Sequence, residues 1–303
     1  MLDFSVKRIE EFALGLFGSA KTAEPDIYEQ QYRAELDTNH DGSISVDEMT
    51  RFAQARSRVP WIPLSSMLAV ERRLGAESPQ LVTAQQRLAK ELVTKGGRAE
   101  QLDVDVVAAS LVHLPMSVLI GMQRAGIRVV ACRDAVTDYL PDLKDQLPRG
   151  HSKAHTWDKT PAASNGNEVV IATVEGPGGA RIMPRKGKDH GSYDVFLHEL
   201  GHSIERHIGQ FRGVATDDDA SESDNAADFL AAREHDWDRL KDYYQQEGKG
   251  VGAGADEAFA ESFARFYGND PKLASDWPEL YRYWNESNRT AIAQRVPSAR
   301  TTL

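Results

Sequence analysis

The sequence predicts an α+β fold, a small twisted sheet set among helices and preceded by a helical N-terminal region. Two short β-branched runs bounded by turn formers, "GIRVVACR" (126–133) and "NEVVIATVEG" (167–176), read as strands. Apolar residues at helical spacing fill most of the remainder, including "VFLHELGHSIERH" (195–207). The 303 residues suffice for a substantial core. They divide into a helical region over 1–60, a helical connector over 61–104 and a mixed domain over 105–303.

Composition narrows the function classes. The net charge of −10 and pI near 5.4 exclude a sequence-independent grip on nucleic acid, which needs a basic face to replace phosphate counterions. The same acidic excess suits a protein that binds cations. With Cys132 as the single cysteine, no intramolecular disulfide or thiolate zinc cluster can form, and the residue reads as a small buried hydrophobe. No stretch approaches the ~18 apolar residues that span a bilayer, so no integral membrane association is expected. Near the start, Ile9, Phe12, Ala13, Leu16 and Phe17 share a helix face, but Lys7, Arg8, Glu10 and Glu11 interrupt it. The expectation is a soluble chain without an ordinary signal peptide.

Taken in order, helices surround a turn-rich loop at 37–48, and "VPWIP" (59–63) then breaks the helical pattern. Leu81, Leu88, Leu92 and Val93 line one side of a further helix. Between the two strands, 147–166 is polar and proline-bearing and reads as irregular. Helical patterns follow at 193–208, about 224–246 and about 256–268. The acidic "TDDDASESD" (216–224) reads as a solvated helix entrance. "GKGVGAGAD" (248–256) lacks the Lys-Ser/Thr ending of a phosphate loop and reads as a flexible joint.

Residues 37–48, "DTNHDGSISVDE", match the twelve-position EF-hand pattern. Asp37, Asn39 and Asp41 offer side-chain oxygens, Ser43 its carbonyl, Ser45 a contact through water and Glu48 two oxygens. A hard Ca²⁺ ion needs six to eight such oxygens, and a sharp turn at Gly42 converges them. Tyr28, Tyr32 and Leu36 before the loop oppose Met49 and Phe52 after it. No second such loop is found, so the hand is expected to pack on the rest of the chain or on another copy. A structural calcium staple is favoured over an opening sensor.

The second candidate centre is a helix. His198 and His202, four residues apart, project from one side and can share Zn²⁺. His207, five residues further on, is rotated roughly 140° away. Glu199 between the ligands completes an HExxH pattern, placed to act as general base on a water at the metal's open position. A catalytic zinc normally takes three protein ligands. A histidine six residues after His202, with a glycine midway, is absent, since Ile208 and Glu205 hold those places. The candidates are His235 and the acidic face of "DEAFAESFARFYG" (256–268), of which Glu257 is favoured. Glu261, one turn later, is free to accept a hydrogen bond from a ligating imidazole and fix its tautomer.

"HELGH" followed 55 positions after His202 by "EAFAESF" resembles the catalytic domain of the anthrax toxin lethal factor family, zinc peptidases of the gluzincin type. The resemblance implies a zincin-like domain, a protein or peptide substrate paired with an edge strand, and His198, His202 and Glu257 as ligands with Glu199 as base. It further implies a secreted or injected, toxin-like protein. One departure stands out: the family's oxyanion-stabilising tyrosine, seven residues before the glutamate ligand, is Gly250 here. Tyr243, Tyr244, Tyr267 and His235 are the substitutes within reach of the sequence argument. The segment at 180–183, with Arg185, Lys186 and Lys188 at its rim, is the candidate substrate-binding edge. Two rivals stand beside the peptidase: a calcium-dependent binding or scaffold protein with a structural zinc, and a zinc amidase acting on cell-wall amides. Oligomeric state is not legible.

Overall fold

The computed structural model describes residues 27–55, 70, 74, 79–147, 156–184, 191–205, 224–250 and 252–286. The helix face at 9–17, the break at 59–63, the rim residues 185–188, His207 and residues 216–223 of the acidic loop lie outside them. Within them, α1 (Ile27–Leu36) and α2 (Val46–Ala55) flank the 37–45 loop. Next come α3 (Pro79–Glu91), β1 (Val93–Lys95), α4 (Gln101–Leu111), α5 (Met116–Arg124), β2 (Arg128–Arg133), β3 (Ala162–Asn165), β4 (Glu168–Glu175) and β5 (Arg181–Ile182). The chain continues through α6 (Val195–Glu205), α7 (Asp224–His235), α8 (Ala253–Tyr267) and α9 (Pro278–Glu286). Sheet and helices together bear out the mixed fold class.

Among the described residues the sheet runs β1-β2-β4-β3, with β5 paired to the far end of β4. β1, β2 and β4 are parallel, while β3 and β5 run antiparallel to β4. Burial on both faces explains why β2 and β4 are almost continuously apolar. Val129, Ala131, Val169 and Ile171 join the main core with Val104, Val107, Leu111 and Phe196 of the helices. Their alternates Val130, Cys132, Val170 and Ala172 face the opposite way, under Val136, Tyr139, Leu140 and Trp157. The helices therefore crowd one face of the sheet, and short turns cover the other. Cys132 is fully buried there, as its sequence context implies.

Several boundaries differ from the sequence expectation. The third helix stops at Glu91, and Val93 pairs with Val129 as sheet rather than continuing the helix. The β-branched pair Val93-Thr94 before Gly96 favours the extended form. The stretch expected to be irregular contains β3, which ends the β1-β2-β4-β3 path, while within 180–183 residues Arg181–Ile182 are extended and pair with β4 off that path. The helix expected to reach 246 ends at His235, followed by short turns at Trp237–Arg239 and Asp242–Gln245. Asp236 is used elsewhere: its Oδ2 accepts the Glu279 and Leu280 amides at 3.0 and 2.8 Å and starts α9.

The N-terminal helix pair packs onto the remainder, since Tyr32, Leu36, Ile44 and Met49 belong to the main core. The loop between them is closed by its own side chains. Asp37 accepts the Asp41 and Gly42 amides, and Asp41 accepts that of Ser43. Glu48 folds inward to accept the Thr38, Asn39 and Ser45 amides at 3.0, 3.2 and 2.9 Å. Those donors, the Ser45 amide foremost, hold its carboxyl down at about 2. Gly42 turns with φ 81, which a residue without Cβ adopts freely.

Candidate metal centre

α6 is buried almost all round, with His198, Glu199 and Ser203 enclosed alongside its apolar residues. β3 and β4 lie along one side and α8 crosses the other. Asp194 starts the helix, its Oδ1 accepting the Leu197 amide at 3.2 Å. At the crossing Gly201 meets Ala260 so closely that a Cβ on Gly201 would lie 2.8 Å from the Ala260 Cα. Nothing larger than hydrogen fits. The Ser203 and Ser164 hydroxyls, 3.1 Å apart, tie the same helix to β3.

This close crossing brings the predicted donors together. His198, His202 and Glu257 each offer an atom within 4.8 Å of the others. Glu257 Oε2 lies 3.2 Å from His198 Nε2 and 3.6 Å from His202 Nε2. Around a tetrahedral zinc with bonds of about 2.0–2.2 Å, neighbouring ligand atoms stand about 3.4 Å apart, so the spacing fits. Chemistry agrees with distance: Glu257 Oε2 is buried yet makes no well-directed hydrogen bond. A buried anionic oxygen facing two imidazoles is an environment that suits a divalent cation.

Glu261 stands behind the first histidine. Its Oε2 is 3.2 Å from His198 Nδ1, and its Oε1 accepts the Tyr193 amide at 2.9 Å. The carboxylate thereby orients the ring so that Nε2 faces Glu257. Burial disfavours a charged His198, but Glu257 and Glu261, aided by the nearby Glu199, outweigh it and lift the imidazole to about 10. Glu257 shows the converse. Burial raises its carboxyl, yet His198 and His202 pull it far below the usual carboxylate range. Glu199 is itself buried on α6.

The remaining candidates separate by position. His235 is exposed at the end of α7, and it stands apart from the three donors that converge among the described residues. Tyr244 is buried against Trp277, and Tyr267 is buried beside Phe263 and Trp284, whereas Tyr243 is 43% exposed. The segment 248–250, expected to be a free joint, is instead held by Arg233. This buried guanidinium donates to the Tyr244, Gly248 and Gly250 carbonyls. No local pattern announces it, because its partners are backbone atoms 11 to 17 residues downstream.

The chain is similar to known proteins over much of this region. Residues 83–287 match the family profile described as anthrax toxin lethal factor, N- and C-terminal domain. A Pro-Pro endopeptidase of Paenibacillus alvei is 28% identical over 132 residues, 43% of this chain. The match spans 57% of that relative's length. A solved structure of the Pro-Pro endopeptidase from Paenibacillus alvei superposes with a TM-score of 0.46 at 20% identity, over 66% of this chain and 98% of that one.

Proposed function

The chain belongs to the family of the anthrax toxin lethal factor N- and C-terminal domain, and from that premise we propose that it is a zinc-dependent endopeptidase. His198, His202 and Glu257 hold the metal, and Glu199 is the general base. The observation that carries this reading is the convergence of the three donor atoms, with Glu257 Oε2 buried and facing both imidazoles. The family relationship and the endopeptidase name of the Paenibacillus alvei relative support the reaction class.

A bound zinc ion supplies Lewis acidity, polarising a peptide carbonyl and lowering the pKa of a water to about 7. The protein's residues do the rest. Glu199 takes the proton of the attacking water as its oxygen bonds to the carbonyl carbon. The same carboxyl then delivers that proton to the departing amine nitrogen as the C–N bond breaks. Glu261 keeps His198 in the ligating tautomer throughout. An extended peptide adds to the outer edge of β3, which the Ser164–Ser203 hydroxyl contact ties to α6.

We assign Ca²⁺ to the N-terminal loop on the same footing, with Asp37, Asn39, Asp41, Ser43, Ser45 and Glu48 as its oxygen donors. The twelve-residue spacing, the positive φ at Gly42 and the inward-turned Glu48 support it. The hand's anchorage in the main core favours a structural ion over a switch.

Metal analysis combined with digestion of a peptide library tests the enzyme reading. Wild-type protein is expected to carry one zinc per chain and to cleave peptides. Glu199→Gln should keep the zinc and lose about 10²–10⁴ in rate. Identical products and rates from the two proteins would overturn the proposal.

A further inference from the structure

Building on the zinc reading above, we propose that Arg233 is a positioning residue for the metal centre, fixing the first turn of α8 so that Glu257 reaches the two histidines. Arg233 lies on α7 and is fully buried. Its Nε and Nη2 donate to the Tyr244 carbonyl at 3.2 and 2.8 Å, Nη2 also to Gly248 at 2.9 Å, and Nη1 to Gly250 at 3.1 Å. The Trp237 ring covers the guanidinium carbon at 4.9 Å. One planar fork thus gathers three carbonyls from the segment that leads into α8.

The helix is seated directly on this assembly. A Cβ at Gly254 would lie 2.9 Å from Arg233 Nη2 and 2.5 Å from the Gln246 carbonyl oxygen, so the first turn of α8 is pressed against both. Glu247 completes the seat, its Oε2 accepting the Ala253 amide at 3.0 Å. Gly254, Glu257 and Glu261 follow one another at i, i+3 and i+7 and share one face of α8. The face that carries the metal carboxylate and the histidine-orienting carboxylate therefore begins on the arginine. Filling the space alone would not require a guanidinium. Burying a charge among neutral carbonyls is costly, and a planar guanidinium, unlike a single ammonium, reaches the three acceptors from separate nitrogens in a fixed geometry.

The test uses the full chain with Arg233→Lys, Arg233→Met and Gly254→Ala. Zinc affinity is read by chelator competition, and folding by near-ultraviolet circular dichroism and thermal unfolding. The lysine variant keeps charge and bulk without the fork, whereas the Gly254 variant displaces the seat from the other side. Each folded variant is expected to bind zinc at least about tenfold more weakly, in the range seen when groups supporting metal ligands are removed. If Arg233→Met does not fold, the other two carry the test. Folded variants that lose thermal stability but keep wild-type zinc affinity would show a purely structural role and overturn the inference. Failure of the unaltered protein to bind zinc would instead overturn the metal reading, and this inference with it.

Discussion

Gly201 offers the sharpest perturbation of the proposed centre, because it lies between the two histidines and touches the helix that carries Glu257. In Gly201→Ala the new methyl would sit 2.8 Å from the Ala260 Cα, 3.2 Å from its carbonyl oxygen and 3.3 Å from its Cβ. Carbon atoms rest at about 3.5–4.0 Å, so α6 and α8 must part by roughly 1 Å. Carried to Glu257, three residues earlier on α8, that parting stretches its 3.2 and 3.6 Å separations from the histidine nitrogens. Both would then lie well beyond the ligand–ligand spacing of about 3.4 Å that suits one zinc ion. Overpacking costs about 1–3 kcal/mol, and replacing a helical glycine by alanine returns about 1 kcal/mol. The net loss of stability is therefore about 0–2 kcal/mol, while zinc affinity should fall at least about tenfold, or about 1.4 kcal/mol. Chelator competition and denaturant unfolding, performed on the same samples, measure the two separately. A folded Gly201→Ala protein with wild-type zinc affinity would refute the claim that this helix crossing sets the donor spacing.

Glu261→Gln removes the charge behind His198 while keeping an acceptor for the Tyr193 amide, so zinc affinity should fall by about 10–100-fold with little change in circular dichroism. Burial pushes the Cys132 thiol up to about 12. Below that pH it stays protonated, so thiol reagents at pH 8 should label the protein only after unfolding, as mass spectrometry would record. Calorimetric titration should show Ca²⁺ binding to wild type and its loss in Glu48→Gln. Because the folded carboxyl of Glu48 sits at about 2, below its ordinary 4.5, its contribution to stability is present above pH 4.5 and fades as pH falls toward 2. The stability difference between wild type and Glu48→Gln should shrink over that window when acid unfolding is compared.

The histidine pair of the proposed donor set was legible because four residues separate His198 from His202 on one helix, whereas Glu257 had to be chosen from the acidic face of a separate helix. The two β-branched strands were legible locally too, since Val129–Cys132 and Val169–Ala172 carry their burial in their composition. What escaped depends on distant partners. β3 is built from Ala-Ala-Ser-Asn, whose residues have little intrinsic preference for strand, and it exists because β4 offers a free edge. α7 stops at His235 because Asp236 caps a helix more than forty residues later. Arg233 reads as one more charged residue on a helix until tertiary packing supplies its carbonyls.

All three proposed metal donors come from two helices that meet at the contact of Gly201 with Ala260. Occupancy and helix docking are then thermodynamically linked, so an ion at 100 times its dissociation constant would add about 2.7 kcal/mol to the folded state. Chelators should loosen this seam before any loop is disturbed, and metal supply would govern how long the chain survives proteolysis as well as whether it is active.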